Sequence, residues 1–272
     1  MTASTEHVLG PQHIAGCFAL SKAAHWNQNE ADWRLMLDIG HGWGLSLGDG
    51  TLIASTLVLP YGAFAWISMV LVHPDHRRHG HATRLLRVAL RDLRDRGLTP
   101  ILDATPAGRE VYRQEGFRDT WTFKRYVKWG QTPFSVSARS ENGVCPHLTD
   151  LDREAFGADR SRLLRALAAR LPAAALGQAD GFILGREGRE ANQVGPLVAR
   201  EEETAMALLQ SALAAVPAPV YVDVVDHSPR MQRYLEQQGF SLQRPFTRMV
   251  HGGGRAPGNE TLVYLVAGPE LG

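Results

Sequence analysis

Four histidines, three arginines and one glycine crowd the stretch HPDHRRHGHATRLL, residues 73–86. Three ligands suit such a mixture: a metal ion, a nucleic acid or a phosphate. A metal would draw on His73, His76, His79 and His81, but this spacing matches no common zinc framework and no cysteine helps it. A nucleic acid would draw on the stripe Arg84, Arg87, Arg91 and Arg94; Asp92 and Asp95 interrupt it, and a solvated helix face is the simpler reading. The nucleotide-loop pattern G-x4-G-K-[ST] is absent from the turn. A phosphate or diphosphate fits better. The first N–H groups of a helix have no partners within it and carry the positive end of its dipole. Gly80 allows a tight bend with no side chain in the way, Ala82 is nearly as small, and Arg77 and Arg78 add charge.

The elements around the turn must place it. FAWISMVLV (64–72) reads as a long strand entering it. Residues 81–96 carry apolar side chains at 85, 86, 89, 90 and 93, a helical period that Gly97 stops. Asp49-Gly50 between two apolar runs marks a hairpin. PILDAT (100–105) reads as a short strand, AGREVYRQEGF as a helix ending at Gly116, and residues 117–129 as a further strand. The polar, turn-rich stretch 131–146 is placed as a linker.

The second half repeats this order: a hairpin through GFILGREGREANQVGPLVA, the helix EEETAMALLQSALAAV, the strand PVYVDVVD and a helix ending at Gly239. Phe117, Phe123 and Arg125 recur as Phe240, Phe246 and Arg248. The halves read as duplicated domains over 1–130 and 147–272, and the second has lost three residues at the turn. Its version, AREEETA, has no glycine and three successive glutamates, Glu201 to Glu203, which repel a diphosphate.

The 272-residue chain has a net charge of +1 and 44% apolar residues, as expected of a globular protein with no bulk attraction for polyanions. Two cysteines fit a reducing cytoplasm. Neither a signal peptide nor an apolar run long enough to span a bilayer is read from the sequence. The expectation is therefore no membrane and no nucleic acid as partner.

The residues Arg77-Arg78-His79-Gly80-His81-Ala82 fit Q/R-x-x-G-x-G/A, and VYRQEGF resembles a Tyr-x-x-x-Gly-Phe ending. Together these resemble the GNAT superfamily of N-acetyltransferases over residues 40–128, and the whole chain resembles a tandem GNAT protein. The implied fold class is α/β (an α+β mixed sheet): two GNAT-like domains, each a mixed, mostly antiparallel sheet flanked by helices. The implied co-substrate is acetyl-CoA, with an amine as acceptor and no metal. By this resemblance the backbone of Val70, Leu71 and Val72 pairs with the pantetheine arm. Amides from Arg78 to Thr83, through His79, Gly80, His81 and Ala82, bind the diphosphate, with Arg77 beside them. Asp103, Thr105 and Gly108 border the cofactor, although many members carry Asn where this chain has Thr105. Tyr112 takes the place of the general acid, since a phenol near pKa 10 can protonate a thiolate near 8.5.

Glu30 and Trp33, with Asp32, Trp26 and Trp43 nearby, lie where members contact the acceptor; Asp159, Arg160 and Arg162 are offered by the second domain. Against these stand plainer readings: capping carboxylates, core tryptophans and solvated arginines. Leu235 stands where Tyr112 does in the first half, so the second domain is expected to bind no CoA and to close the acceptor cleft. The sequence points to an acetyl-CoA-dependent enzyme acting on a small-molecule amine, as monomer or homodimer. A protein or peptide amine as acceptor, a non-catalytic acyl-CoA-binding regulator and, more weakly, a nucleic-acid binder are the alternatives.

Overall fold

A computed structural model describes residues 4–130, 141–142 and 146–272. Most of the stretch read as a linker lies outside the described residues. The chain divides into two compact units, Met1–Leu102 with Leu271 and Asp103–Glu270 with Gly272.

The first unit contains β1 (Thr5–Val8), α1 (Ile14–Ala23), α2 (Glu30–Ile39), β2 (His41–Ser46), β3 (Leu52–Tyr61), β4 (Phe64–Val72) and α3 (His81–Asp95). It also holds most of β5 (Thr99–Ala104). The strands lie in the order β1-β2-β3-β4-β5, antiparallel up to β4 and parallel between β4 and β5. Gly50 turns the β2–β3 hairpin at φ 86, as its dipeptide predicts. α3 turns Leu85, Leu86, Val88, Ala89 and Leu93 inward. Its outer arginines are exposed, and Arg84 is paired with Glu6 and Arg94 with Asp95.

The second unit contains α4 (Pro106–Gln114), β6 (Phe117–Lys128), β7 (Glu141–Asn142), α5 (Pro146–Phe156), α6 (Ser161–Arg170), β8 (Leu176–Gln178) and β9 (Gly181–Arg186). There follow β10 (Asn192–Ala199), α7 (Glu202–Ala215), β11 (Val220–Val225), α8 (Pro229–Gln237), β12 (Ser241–His251) and β13 (Val263–Leu265). Their order is β12-β6-β11-β13-β10-β9-β8-β7, with β11 also touching β10. The matching strands of the two sequence repeats, β6 and β12, pair antiparallel with Phe123 opposite Phe246. Those rings stack with centroids 5.0 Å apart. A core of Ile183, Val194, Leu208, Leu209, Val222, Met231 and Leu235 fills the space beneath α7 and α8.

The recurring Arg125 and Arg248 have partners that sequence spacing does not show. Arg248 makes two 2.9 Å hydrogen bonds to the carboxylate of Asp103. Arg125 grips Asp223 in the same two-pronged way at 2.7 and 2.6 Å. Each repeat's arginine thus holds an aspartate from the other repeat. All four side chains are buried, and such pairs survive burial because the fork geometry satisfies both charges.

Candidate active site

β4 and β5 form a ladder only at Phe64–Thr99, Ala65–Pro100 and Trp66–Ile101. From Ile67 onward that edge of β4 carries no ladder among the described residues, which makes its N–H and C=O groups candidates to pair with an extended ligand. A bulge sits on the same stretch. Ser55 pairs with Leu71 and Leu57 with Ser68, so Met69 and Val70 together oppose Thr56. Met69 takes φ 50, and its carbonyl accepts a 2.8 Å hydrogen bond from the Ser55 hydroxyl. The edge through Val70, Leu71 and Val72 is therefore re-aimed by a built irregularity.

Beyond Val72 the chain turns through Pro74–His76 and reaches α3. Arg78 (φ 62) and Gly80 (φ 77) are both left-handed. At Gly80 this conformation favours glycine, and an added Cβ would meet nothing within 4 Å, so the space in front of the turn is open. Gly80 caps α3 without a side-chain hydrogen bond. The N–H groups of His81, Ala82 and Thr83 begin the helix as free donors among the described residues. Arg77 is tethered by a 3.3 Å bond from Nε to the Val72 carbonyl, and His79 Nδ1 lies 3.3 Å from the His76 carbonyl. Partial burial, then the neighbouring His79, His76 and Arg84, hold the His81 imidazole below its ordinary pKa and hence neutral at pH 7.

The residues following β5 belong to the second unit. Asp103 is wholly buried on Arg248, and desolvation raises its pKa against the pull of that guanidinium. Its carboxylate is occupied by the ion pair. Thr105 caps α4, accepting a 3.3 Å bond from the Gly108 amide. Gly108 lies under the Tyr112 ring, where a Cβ would come 2.9 Å from Cε2. Tyr112 is partly buried with its ring edge-on to Phe117 at 5.9 Å. Loss of water raises its phenol to about 12.

Several residues offered as acceptor contacts are engaged otherwise. Trp33 is fully buried, its indole donating to Ser21 at 2.9 Å, so it packs the core and lines no pocket. Asp32 closes a reciprocal cap with Asn29. Glu30 is exposed and pairs with Arg34 one turn on. Asp159 accepts from the Ser161 amide at 2.8 Å and caps the turn into α6. Arg160 is neither solvated nor open to a ligand: it is buried in a two-pronged pair with Asp152, and it donates to the Gly272 carbonyl at 2.6 Å.

The second repeat builds the corresponding place differently. Only Arg200 and Glu201 separate β10 from α7, and Glu202 and Glu203 occupy the first turn, where Arg230 pairs with Glu203. β10 pairs with β11 through Val194–Val222 and then parts from it. Here β13 enters the opening: Leu265 lies opposite both Leu197 of β10 and Val224 of β11. β10 carries its own irregularity at Gly195, whose missing Cβ would stand 2.2 Å from the Val266 carbonyl oxygen. The place of β13 is not legible in the sequence, because three residues, Val-Tyr-Leu, carry no signal of which neighbours they join.

A bare strand edge running into a glycine turn and a helix N-terminus, and the same plan repeated with its opening filled, finds its match among known families. The acetyltransferase (GNAT) family matches residues 12–117, and the acetyltransferase (GNAT) domain matches residues 148–265. The chain belongs to the GNAT acetyltransferases, with two family domains in tandem.

The chain is 23% identical over 243 residues to the uncharacterized N-acetyltransferase YitH of Bacillus subtilis (strain 168), covering 85% of this chain and 86% of that protein. A putative acetyltransferase from Pyrococcus horikoshii shares the fold at a TM-score of 0.84 and 21% identity, covering 100% of this chain and 97% of its own. A tandem GNAT protein from the clavulanic acid biosynthesis pathway superposes with a TM-score of 0.56 at 13% identity, covering 93% and 99% of the two chains. These GNAT domains make the protein an acyltransferase in the broad sense. Among the described residues no helix is long and apolar enough to cross a membrane.

Proposed function

We propose that the protein is an acetyl-CoA-dependent N-acetyltransferase with one working site, in the domain spanning residues 1–130, and a small-molecule amine as acceptor. The observation that carries this reading is the bare edge of β4 beyond Trp66, continuing into the open turn at Gly80 and the free amides of α3. An extended amide-bearing arm needs such an edge, and a diphosphate needs such a turn. Residues 147–272 form the degenerate partner.

In this reading the pantetheine amides pair with β4 at Val70 to Val72, and the diphosphate sits on the amides of Arg78 to Thr83 with Arg77 and Arg78 beside it. A neutral amine attacks the thioester carbonyl, forming the C–N bond. An N–H of β4 near Val72 steadies the oxyanion, and the C–S bond then breaks. Tyr112 passes its proton to the departing thiolate. A pKa of about 12 keeps the phenol protonated at neutral pH. Asp32 and Asp103 are committed to a cap and an ion pair and Glu30 is paired in solvent, so none of the three is named as the base, and the amine's proton leaves to solvent directly or through a chain of waters. Two cysteines and a soluble co-substrate fit a cytoplasmic enzyme.

The test is a set of small amines offered with acetyl-CoA and read by thiol release. Transfer to at least one small amine is expected. Tight CoA binding with no transfer would leave a regulator, and transfer only to peptides would move the acceptor class.

A further inference from the structure

We infer that Arg248 is a positioning residue for acyl transfer: by clamping Asp103 it fixes the start of α4 and, through that helix, Tyr112. This rests on the reading of Tyr112 as proton donor. Only Ala104 separates Asp103 from Thr105, the cap of α4. α4 has no fully buried residue, and its apolar contact is the Tyr112 ring, edge-on to Phe117. The other contacts that hold it are polar: the Asp103–Arg248 pair at its entrance, the Thr105 cap, and Asp119, which receives Arg109 and Arg113 from its outer face.

Arg248 is itself fixed on several sides. Its guanidinium carbon lies 4.0 Å over the Trp121 ring, and its carbonyl accepts from the Thr120 hydroxyl at 3.0 Å. A bulge in β6 makes this possible: Thr247 pairs with Thr122 and Met249 with Asp119, so Thr120 and Trp121 both face Arg248. The side chain is 7% exposed and the Asp103 carboxylate not at all.

The second repeat supplies a control. Arg125 clamps Asp223 with equal geometry, but Asp223 lies inside β11, six residues before α8 begins at Pro229, whereas Asp103 lies three before α4. The residue matching Asp103 is Asp226, which Lys124 holds at 2.7 Å, and α8 buries Met231 and Leu235 in the core. An equal fork away from any helix entrance thus separates loss of a buried ion pair from loss of the hold on α4.

The experiment uses full-length protein labelled with 3-fluorotyrosine, the Tyr112 fluorine line being assigned by Tyr112→Phe. Arg248→Lys keeps the charge but loses the fork, and Asp103→Asn loosens the same clamp from the other side; thermal melting shows which variants fold. In either folded variant the Tyr112 line is expected to shift and its titration midpoint to fall toward that of free 3-fluorotyrosine, while Arg125→Lys leaves both unmoved. Thiol release from acetyl-CoA, with an amine from the screen, should show kcat lower by about tenfold or more and KM for acetyl-CoA within about twofold. The loss should not add to that of Tyr112→Phe. An unmoved Tyr112 line in a folded variant, or losses that add fully, would overturn the role. If wild-type protein releases no thiol with any amine, the acetyltransferase reading fails, and the fluorine line alone still decides the clamp.

Discussion

In the first repeat β4 and β5 part after Trp66 and Ile101, and among the described residues the edge beyond carries no strand; in the second, β10 and β11 part after Val194 and Val222, and β13 lies between them. Both leading strands carry an irregularity at the matching place, Met69–Val70 and Gly195–Pro196. The plan is the same, and the occupant differs. On the proposed reading, losing the glycine turn would remove the diphosphate's seat, and a filled opening would remove the seat of the whole arm. The difference teaches that binding by a strand edge is lost most thoroughly when the chain supplies its own strand.

The largest effect should come from Gly195→Ala. Its Cβ would stand 2.2 Å from the Val266 carbonyl oxygen at φ 143. Denaturant unfolding should show a loss of about 3–4 kcal/mol, from strain and from displacement of β13. Unchanged stability would mean that β13 is not held tightly in the second opening.

Tyr112→Phe should lower kcat by about a hundredfold. Acetyl-CoA affinity, read by calorimetry, should stay within about twofold. Leu235 already holds the matching place in the second repeat, buried in the core, so the variant imitates a domain that has no donor there. Full turnover would remove the distinction between the two helices.

Gly80→Glu brings the second repeat's chemistry to the first. A side chain at φ 77 costs about 1 kcal/mol, and a carboxylate at the turn repels the diphosphate. Calorimetry should give an affinity for CoA lower by about thirtyfold, or ~2 kcal/mol. Retained affinity would show that the turn does not seat the diphosphate.

The smallest effect concerns how α4 and α8 are held. Arg109, and then Arg113, hold the Asp119 carboxyl at about 2, below its ordinary value. A depressed carboxylate stabilises the fold above its unfolded pKa, near 4, and loses that contribution as pH falls through 2. The arginines are partly exposed, so the contribution is about 1 kcal/mol after screening. Arg109→Ala should shrink this acid-labile part of the stability, measured by urea unfolding between pH 5 and pH 2. An identical acid profile would mean that Asp119 does not tie α4.

What could be read from the sequence was whatever depends on neighbours in the chain. The turn at 73–86, the strand before it and the helix after it are local, and the repeat of Gly-Phe and Phe-x-Arg exposed the duplication. What could not be read depends on partners far along the chain. Arg125 and Arg248 stood out as recurring residues, but their aspartates lie 98 and 145 positions away. Arg160 looked like a free cation because its partner Asp152 sits on a separate helix and the chain between them turns back at Gly157. Trp33 was open to two readings, pocket wall or core, and it is core: a polar partner, Ser21, is what permits its indole to be buried whole, and nothing near it in sequence announces that partner.

The position of β13 also bears on how the molecule is made. It follows every other described strand in the chain, yet its neighbours on either side are β10 and β11, formed from residues dozens of positions earlier. A strand that arrives last and belongs in the middle imposes non-local contacts, which slow folding because ring closure precedes any reward. In the fold β10 and β11 pair directly only at Asn192–Val220, Gln193–Tyr221 and Val194–Val222, and beyond these pairs each meets β13 instead.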